Sequence, residues 1–463
     1  MRKRFVQTSL LDIYHGVGEQ LENDKPKLFR LLDEHIDWDD LIPDTFYRAF
    51  YLQTGRKRKY ELESFLRALF LQRIFHYVED SQLLNTLRFS YEMRDYCGFD
   101  SVPDASKLTR FKQDFCVHLR SVFERLVDLT EPICRDMDKA QADLLIFDTT
   151  GIESYVAENN PKFPRNRTSK LSEYTSVSAS NPNVKLQYIN GHMCYAQRAA
   201  VLTNGLGIVR HLELFDEDFR ATHPDMPREK RINNPEVDKE IGDSTALKPV
   251  LTDFQNTHPN LHYGTFSGDA AFDSYDNYRF LLNDYRFKKA VIPMNPRRGL
   301  PATDIGYNEN GTPLCPLDAT PFKPDGSANG ARRSPRLKFV CPAYKFVQMQ
   351  NGRYTKRSQC PTPCSPAKYG RSVYLQQNKN LRLYPGISRD DPAFAEICSR
   401  RTAVERTINT LKDTLGVAGR KTSNVLTTKA DLFLAGIVQL LCVLLAHNLH
   451  DLILARRPRL LIA

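Results

Sequence analysis

The 463-residue sequence lacks a long uninterrupted apolar run, so we expect no membrane-spanning helix. Its most apolar run, 432–446, is interrupted by Gln439 and is shorter than the ~20 residues that a membrane-spanning helix needs. The basic N-terminus, MRKRFVQTSLLDIY, also lacks the apolar core and the small-residue cleavage site of a secretory signal. We therefore expect a cytoplasmic protein with no membrane partner, in which 432–446 forms a buried core helix.

The sequence also lacks the cysteine pattern of a disulfide scaffold. It has ten cysteines in 463 residues, and a chain that is not exported keeps its thiols reduced. Six cysteines lie singly in apolar surroundings, which is typical of core packing: Cys97, Cys116, Cys134, Cys194, Cys398 and Cys442. A lone histidine near one of them, His192, is interpreted as a structural residue rather than a ligand.

The composition excludes a disordered chain, because 41% of the residues are hydrophobic and 26% are charged. A single hydrophobic core rarely grows beyond ~250–300 residues, so the length predicts more than one domain. Lys and Arg number 65 against 55 Asp and Glu, and the net charge of +10 favours a polyanionic partner such as nucleic acid.

Residues 1–138 are predicted to form an all-helical N-terminal region, since apolar residues recur at helical spacing from about residue 61 onward. Asp104 is a plausible N-cap for a helix that carries Lys107, Arg110 and Lys112. These cations either face DNA phosphates or lie on a solvated helix face, and the sequence leaves both interpretations open.

Alternating strand and helix patterns predict an α/β domain in two parts, 139–294 and 385–463. The short apolar run 144–147 is typical of a buried strand, and HMCYAQRAAVLT, GIVRHLELF, YGTFSGDA and KKAVIPM predict further strands. The second part is helical and includes the run 432–446.

Residues 295–384 separate these two parts and are predicted to be a basic insertion, dense in Pro, Gly and Arg and without helical periodicity. Four cysteines fall in it: Cys315, Cys341, Cys360 and Cys364. The last two are separated by three residues, a spacing that a structural Zn²⁺ site allows. The first two do not form a close pair, so buried reduced thiols are the alternative.

Two carboxylates follow predicted buried strands: Asp148 after LLIF and Asp269 after GTFSG. If these strands are neighbours, the two acids converge and offer a site for a hard divalent cation. Either acid alone is explained more simply as the start of a turn. Four rival acids lie close by in the sequence: Asp143, Glu153, Asp273 and Asp276.

A third carboxylate lies in the amphipathic segment SRRTAVERTINTLKD. At about 100° per residue, Arg401, Glu405 and Lys412 form one stripe beside the apolar face. That face consists of Val404, Ile408, Leu411 and Leu415. An intrahelical Arg401–Glu405 ion pair is the simple alternative to a functional role. Three converging carboxylates hold two Mg²⁺ ions ~3.5–4 Å apart in enzymes that cut phosphodiesters.

The segments LLIFDTTGIES, FSGDAAFDSYDNY and SRRTAVERTINTLKD resemble the three catalytic blocks of the DDE transposases of bacterial insertion sequences. The third is similar to that family's Tyr-(2)-Arg-(3)-Glu-(6)-Lys signature. Arg401, Glu405 and Lys412 stand at the required intervals, whereas Cys398 stands where the family has Tyr. The helical N-terminal region also resembles that of these transposases.

The resemblance implies a ribonuclease H-like catalytic domain in which Asp148, Asp269 and Glu405 hold two Mg²⁺ (or Mn²⁺) ions. It implies that Arg401 and Lys412 contact DNA beside the active site. The implied reaction is hydrolysis at the ends of the element followed by strand transfer into a target. The implied partners are double-stranded DNA, as terminal inverted repeats and as target, and a second copy of the chain, in a homodimer associated with the nucleoid.

Two other hypotheses remain open at the level of the sequence. One is a ribonuclease H-like nuclease that cuts DNA but does not join it, which needs the same metal site. The other is a catalytically silent DNA-binding protein that uses the basic insertion and the N-terminal helices. The presence of an acid at all three positions favours an enzyme over the silent protein.

Overall fold

The structure, a computed structural model, describes residues 9, 11, 26–52, 54–55, 57–160, 177–181, 184–189, 191–226, 241–300, 305–330 and 333–461. The fold is mixed α/β and divides into two compact units. One comprises Met1–Ile133 with Leu411–Ala463, and the other comprises Cys134–Thr410. Residues 411–463, predicted as part of the α/β domain, thus pack with the N-terminal helices instead.

In the described residues, the first unit is entirely helical, as the periodicity predicts. Its N-terminal helices are α1 (Lys27–His35), α2 (Trp38–Leu41), α3 (Asp44–Phe50), α4 (Leu62–Ile74), α5 (Asp80–Phe89), α6 (Tyr91–Tyr96), α7 (Ala105–Asp114) and α8 (Cys116–Met137), whose last turn belongs to the second unit. The predicted cap of α7 is confirmed, because the Asp104 carboxylate accepts the N–H of Ser106 at 3.0 Å.

The second unit is built on a six-stranded mixed sheet. Its strands are β1 (Leu144–Glu153), β2 (Lys185–Ile189), β3 (His192–Asn204), β4 (Val209–Leu214), β5 (Thr265–Ser267) and β6 (Lys289–Val291). The order is β2-β3-β1-β5-β6, and β4 pairs with β3 along the same edge as β2. β1 is antiparallel to β3 and parallel to β5, which is parallel to β6. The strands predicted from the sequence are therefore present.

In the part of this unit that the structure describes, six short or medium α-helices accompany the sheet. They are α9 (Lys139–Ala142), α10 (Glu217–Thr222), α11 (Asp243–Thr257), α12 (Tyr275–Arg279), α13 (Pro392–Ser399) and α14 (Thr402–Asn409). α11 packs on β1, and its Phe254 joins a core that includes Phe147 and Phe266. α14 packs on β1 and β3 through the face that contains the buried Val404 and Ile408.

In its described residues the insertion contains five strands, a short 3₁₀ turn (Pro296–Arg298) and loops but no α-helix, in agreement with its lack of helical periodicity. It contains β7 (Lys323–Gly330), β8 (Arg333–Val340), β9 (Tyr344–Gln348), β10 (Tyr354–Ser358) and β11 (Ser372–Gln376). A three-stranded sheet has the order β11-β8-β7, and β9 pairs with β10. The inner residues Leu337 and Phe339 of β8 join the hydrophobic core of the second unit.

The last helix, α15 (Val425–Asn448), is the core helix of the first unit. It is long and apolar enough to cross a membrane, but 89% of its most apolar 18-residue window is buried inside the protein. It packs on α1, α4 and α7, all within its own unit. The prediction of a buried core helix over 432–446 is therefore confirmed.

A cluster of five charged side chains is buried beside α15. Asp431 contacts Arg73, Lys112 and Arg420, and Asp80 lies 2.8 Å from Lys112 and 2.7 Å from Arg420. Although burial alone would raise the pKa values of both acids, the cations hold them below the ordinary value. We name these five residues the buried ion cluster. Lys112 was predicted either to face DNA phosphates or to lie on a solvated helix face. Both interpretations are wrong, because its side chain is fully buried in this cluster.

Candidate active site

The parallel pairing of β1 and β5 brings two predicted acids to the same edge of the sheet. Ile146 of β1 is paired with Ser267 of β5. Asp148 and Asp269 each lie two residues beyond this pair, and neighbouring strands are ~4.8 Å apart. The expectation that the two strands are neighbours is therefore confirmed. Asp269 follows β5 as predicted, but Asp148 starts no turn, because β1 continues past it and Asp148 is paired with Val201 of β3.

The environment of Asp148 disfavours its charged form. Burial raises the pKa of its carboxyl to about 6, and the negative charges of Asp269 and Asp243 act in the same direction. The N–H of Thr149, which donates to Oδ1 at 2.8 Å, and the Arg401 guanidinium oppose this shift only in part. The positive groups near Asp148 therefore do not fully balance the negative charges around it.

Asp269 lies in a similar environment and also begins a turn. Burial and the charge of Asp243 raise its pKa, although Arg401 and the N–H of Ala271 lower it. That N–H donates to Asp269 Oδ1 at 2.9 Å, so Asp269 caps the 3₁₀ turn Ala270–Phe272. The turn-forming interpretation is correct for Asp269, and the cap fixes its carboxylate beside that of Asp148.

Glu405 forms an ion pair with Arg401. It lies on α14 next to the buried Val404, and its side chain is 45% exposed. Its Oε1 is 2.7 Å from Arg401 Nη1, so the simple ion pair is present. Because the charge of Arg401 also acts on Asp148 and Asp269, this guanidinium links the third acid electrostatically to the first two.

The other predicted DNA contacts differ in exposure. α14 is followed by a π-helical turn, Thr410–Thr414, so the regular spacing of 100° per residue does not continue to Lys412. Lys412 is only 8% exposed and belongs to the first unit. Lys107 and Arg110 are exposed on α7.

Sequence reasoning missed two residues of this site, Asp243 and Arg198. Asp243 begins α11 and accepts hydrogen bonds from the Thr149 hydroxyl and the Arg198 guanidinium. Arg198, on β3, also donates to Thr149 Oγ1 at 3.1 Å. The one local signal for Asp243 was its position after Gly242 at the start of an apolar helical segment.

Three of the four rival acids have other roles. Asp143 accepts the N–H of Gly264 at 3.0 Å and so holds the start of β1 to the start of β5. Asp273 is fully buried and pairs with Arg382 at 2.8 Å. Asp276 is 88% exposed. These acids are therefore structural or solvated, and the fourth, Glu153, has different neighbours.

Glu153 belongs to a set of three metal-ligating side chains with His192 and Cys194, whose ligand atoms all lie within 4.8 Å of one another. Among the described residues this is the only such set of His, Cys, Asp or Glu side chains. Asp148, Asp269 and Glu405 are thus less closely grouped, and their joint role as metal ligands stays a prediction.

The four insertion cysteines do not form such a set within the described part of the chain. Cys315 and Cys341 are buried in the core of the second unit, in agreement with the alternative of buried thiols. Cys360 and Cys364 are half-buried, and Cys360 donates to the carbonyl of Thr362 at 3.2 Å. A zinc site in the insertion stays a prediction.

A family model described as "Transposase domain (DUF772)" matches residues 17–114. No curated protein matches the chain. The matched segment contains α1–α7, including the exposed Lys107 and Arg110, and it supports a transposase role for the chain.

The site combines acidic groups with basic ones in a way that suits phosphodiester chemistry. Asp148 and Asp269 offer oxygen ligands, which hard divalent cations prefer. The positive charge of Arg401 acts on both acids, and Arg198 pairs with the neighbouring Asp243. Such an arrangement can hold a cation together with a phosphate group of DNA.

Proposed function

We propose that the chain is a DDE transposase that cuts DNA at the ends of an insertion sequence and joins these ends to target DNA. The observation that carries this proposal is the placement of Asp148 and Asp269 two residues beyond the paired Ile146 and Ser267 of adjacent parallel strands, with the pKa of Asp148 raised to about 6. The transposase-domain match at 17–114 supports the same role.

The sheet supports a ribonuclease H-like catalytic domain. Its central strand, β1, pairs antiparallel with β3 on one side, and on the other side lie β5 and β6, which are both parallel to β1. One acid, Asp148, lies within the central strand, and another, Asp269, follows the adjacent parallel strand. The third acid, Glu405, comes from the helix that packs on β1 and β3 after the insertion.

The residues at this edge fit a divalent metal. Asp148 and Asp269 raise the local negative charge, and a cation would favour the ionised form that burial disfavours. Asp148, Asp269 and Glu405 would hold two Mg²⁺ (or Mn²⁺) ions. When bound, such ions activate the attacking water or 3′-hydroxyl and stabilise the leaving oxygen of an in-line displacement.

The basic residues take the role of holding DNA. Arg401 lies beside the acids and would contact a phosphate next to the scissile bond. Lys107 and Arg110, exposed on the matched transposase domain, would contact phosphates of the terminal inverted repeat. Two copies of the chain would act together on paired DNA ends.

The proposal is tested by incubating purified protein with Mg²⁺ and a labelled duplex that contains the end of its element. Wild type is compared with Asp148→Asn and with a matched variant of an exposed acid, Asp276→Asn. We expect nicking at the end and a new joined product from wild type and Asp276→Asn, and neither from Asp148→Asn.

Other outcomes separate the alternatives. Nicking without joining by wild type would indicate a nuclease. Sequence-specific binding without cleavage by any variant would indicate a catalytically silent DNA-binding protein. Equal cleavage by wild type and Asp148→Asn would overturn the assignment of the active site.

A further inference from the structure

Three side chains of different chemistry meet at the end of the sheet where β1 finishes and β3 begins. Glu153 is the last residue of β1, His192 is the first of β3, and Cys194 follows two residues later. A carboxylate oxygen, an imidazole nitrogen and a thiol sulfur therefore lie within 4.8 Å of one another.

The strand register explains why these side chains share one face. Glu153 is paired with Ala196 of β3 in the antiparallel ladder. Alternate residues of a strand point to the same face, so His192, Cys194 and Ala196 lie on the face of Glu153. The short His-x-Cys spacing thus supplies two ligands from one strand, and the neighbouring strand supplies the third.

The distances and exposures are those of a nearly formed metal site. His192 Nε2 lies 3.6 Å from Glu153 Oε2. Two ligand atoms with bonds of 2.0–2.2 Å to a tetrahedral ion are separated by ~3.3–3.6 Å, so only a small shift is needed. Cys194 is 3% exposed, whereas the side chains of His192 and Glu153 are 56% and 43% exposed. The site is therefore anchored by a buried sulfur and open to water on its other side.

We propose that Glu153, His192 and Cys194 bind one divalent transition-metal ion of the Zn²⁺ class, with a water molecule as the fourth ligand. A thiolate and an imidazole select such ions over Mg²⁺, which prefers oxygen ligands. This site is distinct from the three acids assigned to Mg²⁺, and the inference does not rest on the proposed transposase function. The bound ion cross-links the end of β1 to the start of β3.

The test uses Co²⁺ as a spectroscopic probe of the full-length protein after dialysis against a chelator. The two half-buried insertion cysteines are removed from the measurement by working in a Cys360→Ser/Cys364→Ser background, and Cys315 and Cys341 are buried in the core. We expect one equivalent of Co²⁺ to give visible bands of a four-coordinate ion and a thiolate-to-cobalt charge-transfer band. A large molar excess of Mg²⁺ should leave these bands unchanged.

The variants identify the ligands. Cys194→Ser should abolish the charge-transfer band, and His192→Ala should weaken Co²⁺ binding by at least the ~10–100-fold that loss of an outer-shell partner costs. His223→Ala is the matched control, because His223 also pairs with an acid, Asp253 at 3.2 Å, but belongs to no three-ligand set in the described residues. It should bind Co²⁺ as the parent does.

A second measurement guards against variants that fold poorly. Zn²⁺ should raise the melting temperature of the parent and of His223→Ala but not that of Cys194→Ser, whose circular dichroism should match the parent. Absence of the charge-transfer band from the parent, or its persistence in folded Cys194→Ser, would overturn the proposal. In either case the site would be no more than a surface ion pair beside a core thiol.

Discussion

Asp148, within β1, and Asp269, just after β5, occupy equivalent positions relative to two adjacent parallel strands, because each lies two residues beyond the paired Ile146 and Ser267. The charge of Asp269 adds to the effect of burial and raises the pKa of Asp148 to about 6. A fold with no use for these acids would gain stability by removing one of them. Their arrangement therefore favours cation binding at some cost in stability.

This cost can be measured as a difference in the free energy of unfolding between wild type and Asp148→Asn that depends on pH. The pKa of Asp148 is above its ordinary value of 3.8, so its charged form opposes folding, and the opposition grows as pH rises from about 4 to about 6. Without metal, Asp148→Asn should be more stable than wild type by ~1–3 kcal/mol at pH 8. At pH 4 the two proteins should be nearly equally stable.

Urea unfolding followed by circular dichroism in EDTA checks this difference. Asp276→Asn, which changes an exposed acid, should behave as wild type at both pH values. If Asp148→Asn is no more stable than wild type at pH 8, the carboxyl of Asp148 is not destabilised as described.

The identity of the third metal ligand is tested by comparing two acids near Asp148. Glu405→Gln should reduce Mg²⁺-dependent cleavage by at least ~10²-fold, because loss of a metal ligand removes several kcal/mol of transition-state stabilisation. Asp243→Asn should retain cleavage within ~10-fold, because Asp243 is engaged by Arg198 and Thr149.

Asp243→Asn should also shift the acidic limb of the cleavage profile to lower pH. The charge of Asp243 raises the pKa values of Asp148 and Asp269, so its removal lets both ionise in more acidic solution. Glu405→Gln should still bind the terminal duplex in a gel-shift assay. The opposite result, with cleavage abolished in Asp243→Asn and kept in Glu405→Gln, would assign the third ligand to Asp243.

The exposed cations of α7 give a prediction about DNA binding. Lys107→Ala/Arg110→Ala should weaken binding to terminal duplexes and lower the slope of log affinity against log salt by about 2, or about 1 for each phosphate that is no longer neutralised. Gel-shift titrations at several salt concentrations measure this slope. If the slope is unchanged in the double variant, both cations lie on a solvated helix face. If wild type binds terminal and scrambled duplexes with equal affinity, specific recognition of the terminal repeat is excluded.

The buried ion cluster gives a prediction about stability. Asp431→Asn should destabilise the protein by ~3–5 kcal/mol, because Arg73, Lys112 and Arg420 lose a buried counter-charge. Asp95→Asn, a change of an exposed acid in the same unit, should stay within ~0.5 kcal/mol of wild type. Urea unfolding at pH 7 measures both, and an equal effect of the two substitutions would show that the cluster contributes little.

The sequence predicted the features that depend on local pattern. The apolar run before Asp148 and the strand before Asp269 identified both acids, and the helical spacing of Val404 and Ile408 identified the packed face of α14. Asp104 was identified as a cap by its position alone. In each case the relevant physical interaction spans only a few residues.

The features that were missed depend on contacts between distant segments. Asp243 and Arg198 join the site only because α11 begins beside Thr149 of β1, which no local pattern reveals. The pairing of Lys112 with Asp80 and Asp431 likewise requires α5, α7 and α15 to meet. Residues 411–463 were correctly predicted as helical, but periodicity does not reveal which unit a helix joins.

The central claim is that Asp148 binds the metal ion of the reaction. The most direct test of this claim replaces the carboxylate oxygen of Asp148 with sulfur. A thiolate disfavours Mg²⁺ but accepts the softer Mn²⁺, so Asp148→Cys should lose cleavage of the terminal duplex in Mg²⁺ and regain it in Mn²⁺. Asp276→Cys should cleave as wild type does in both metals. Cleavage by Asp148→Cys in Mg²⁺ at the wild-type rate would contradict the claim that Asp148 binds the metal of the reaction.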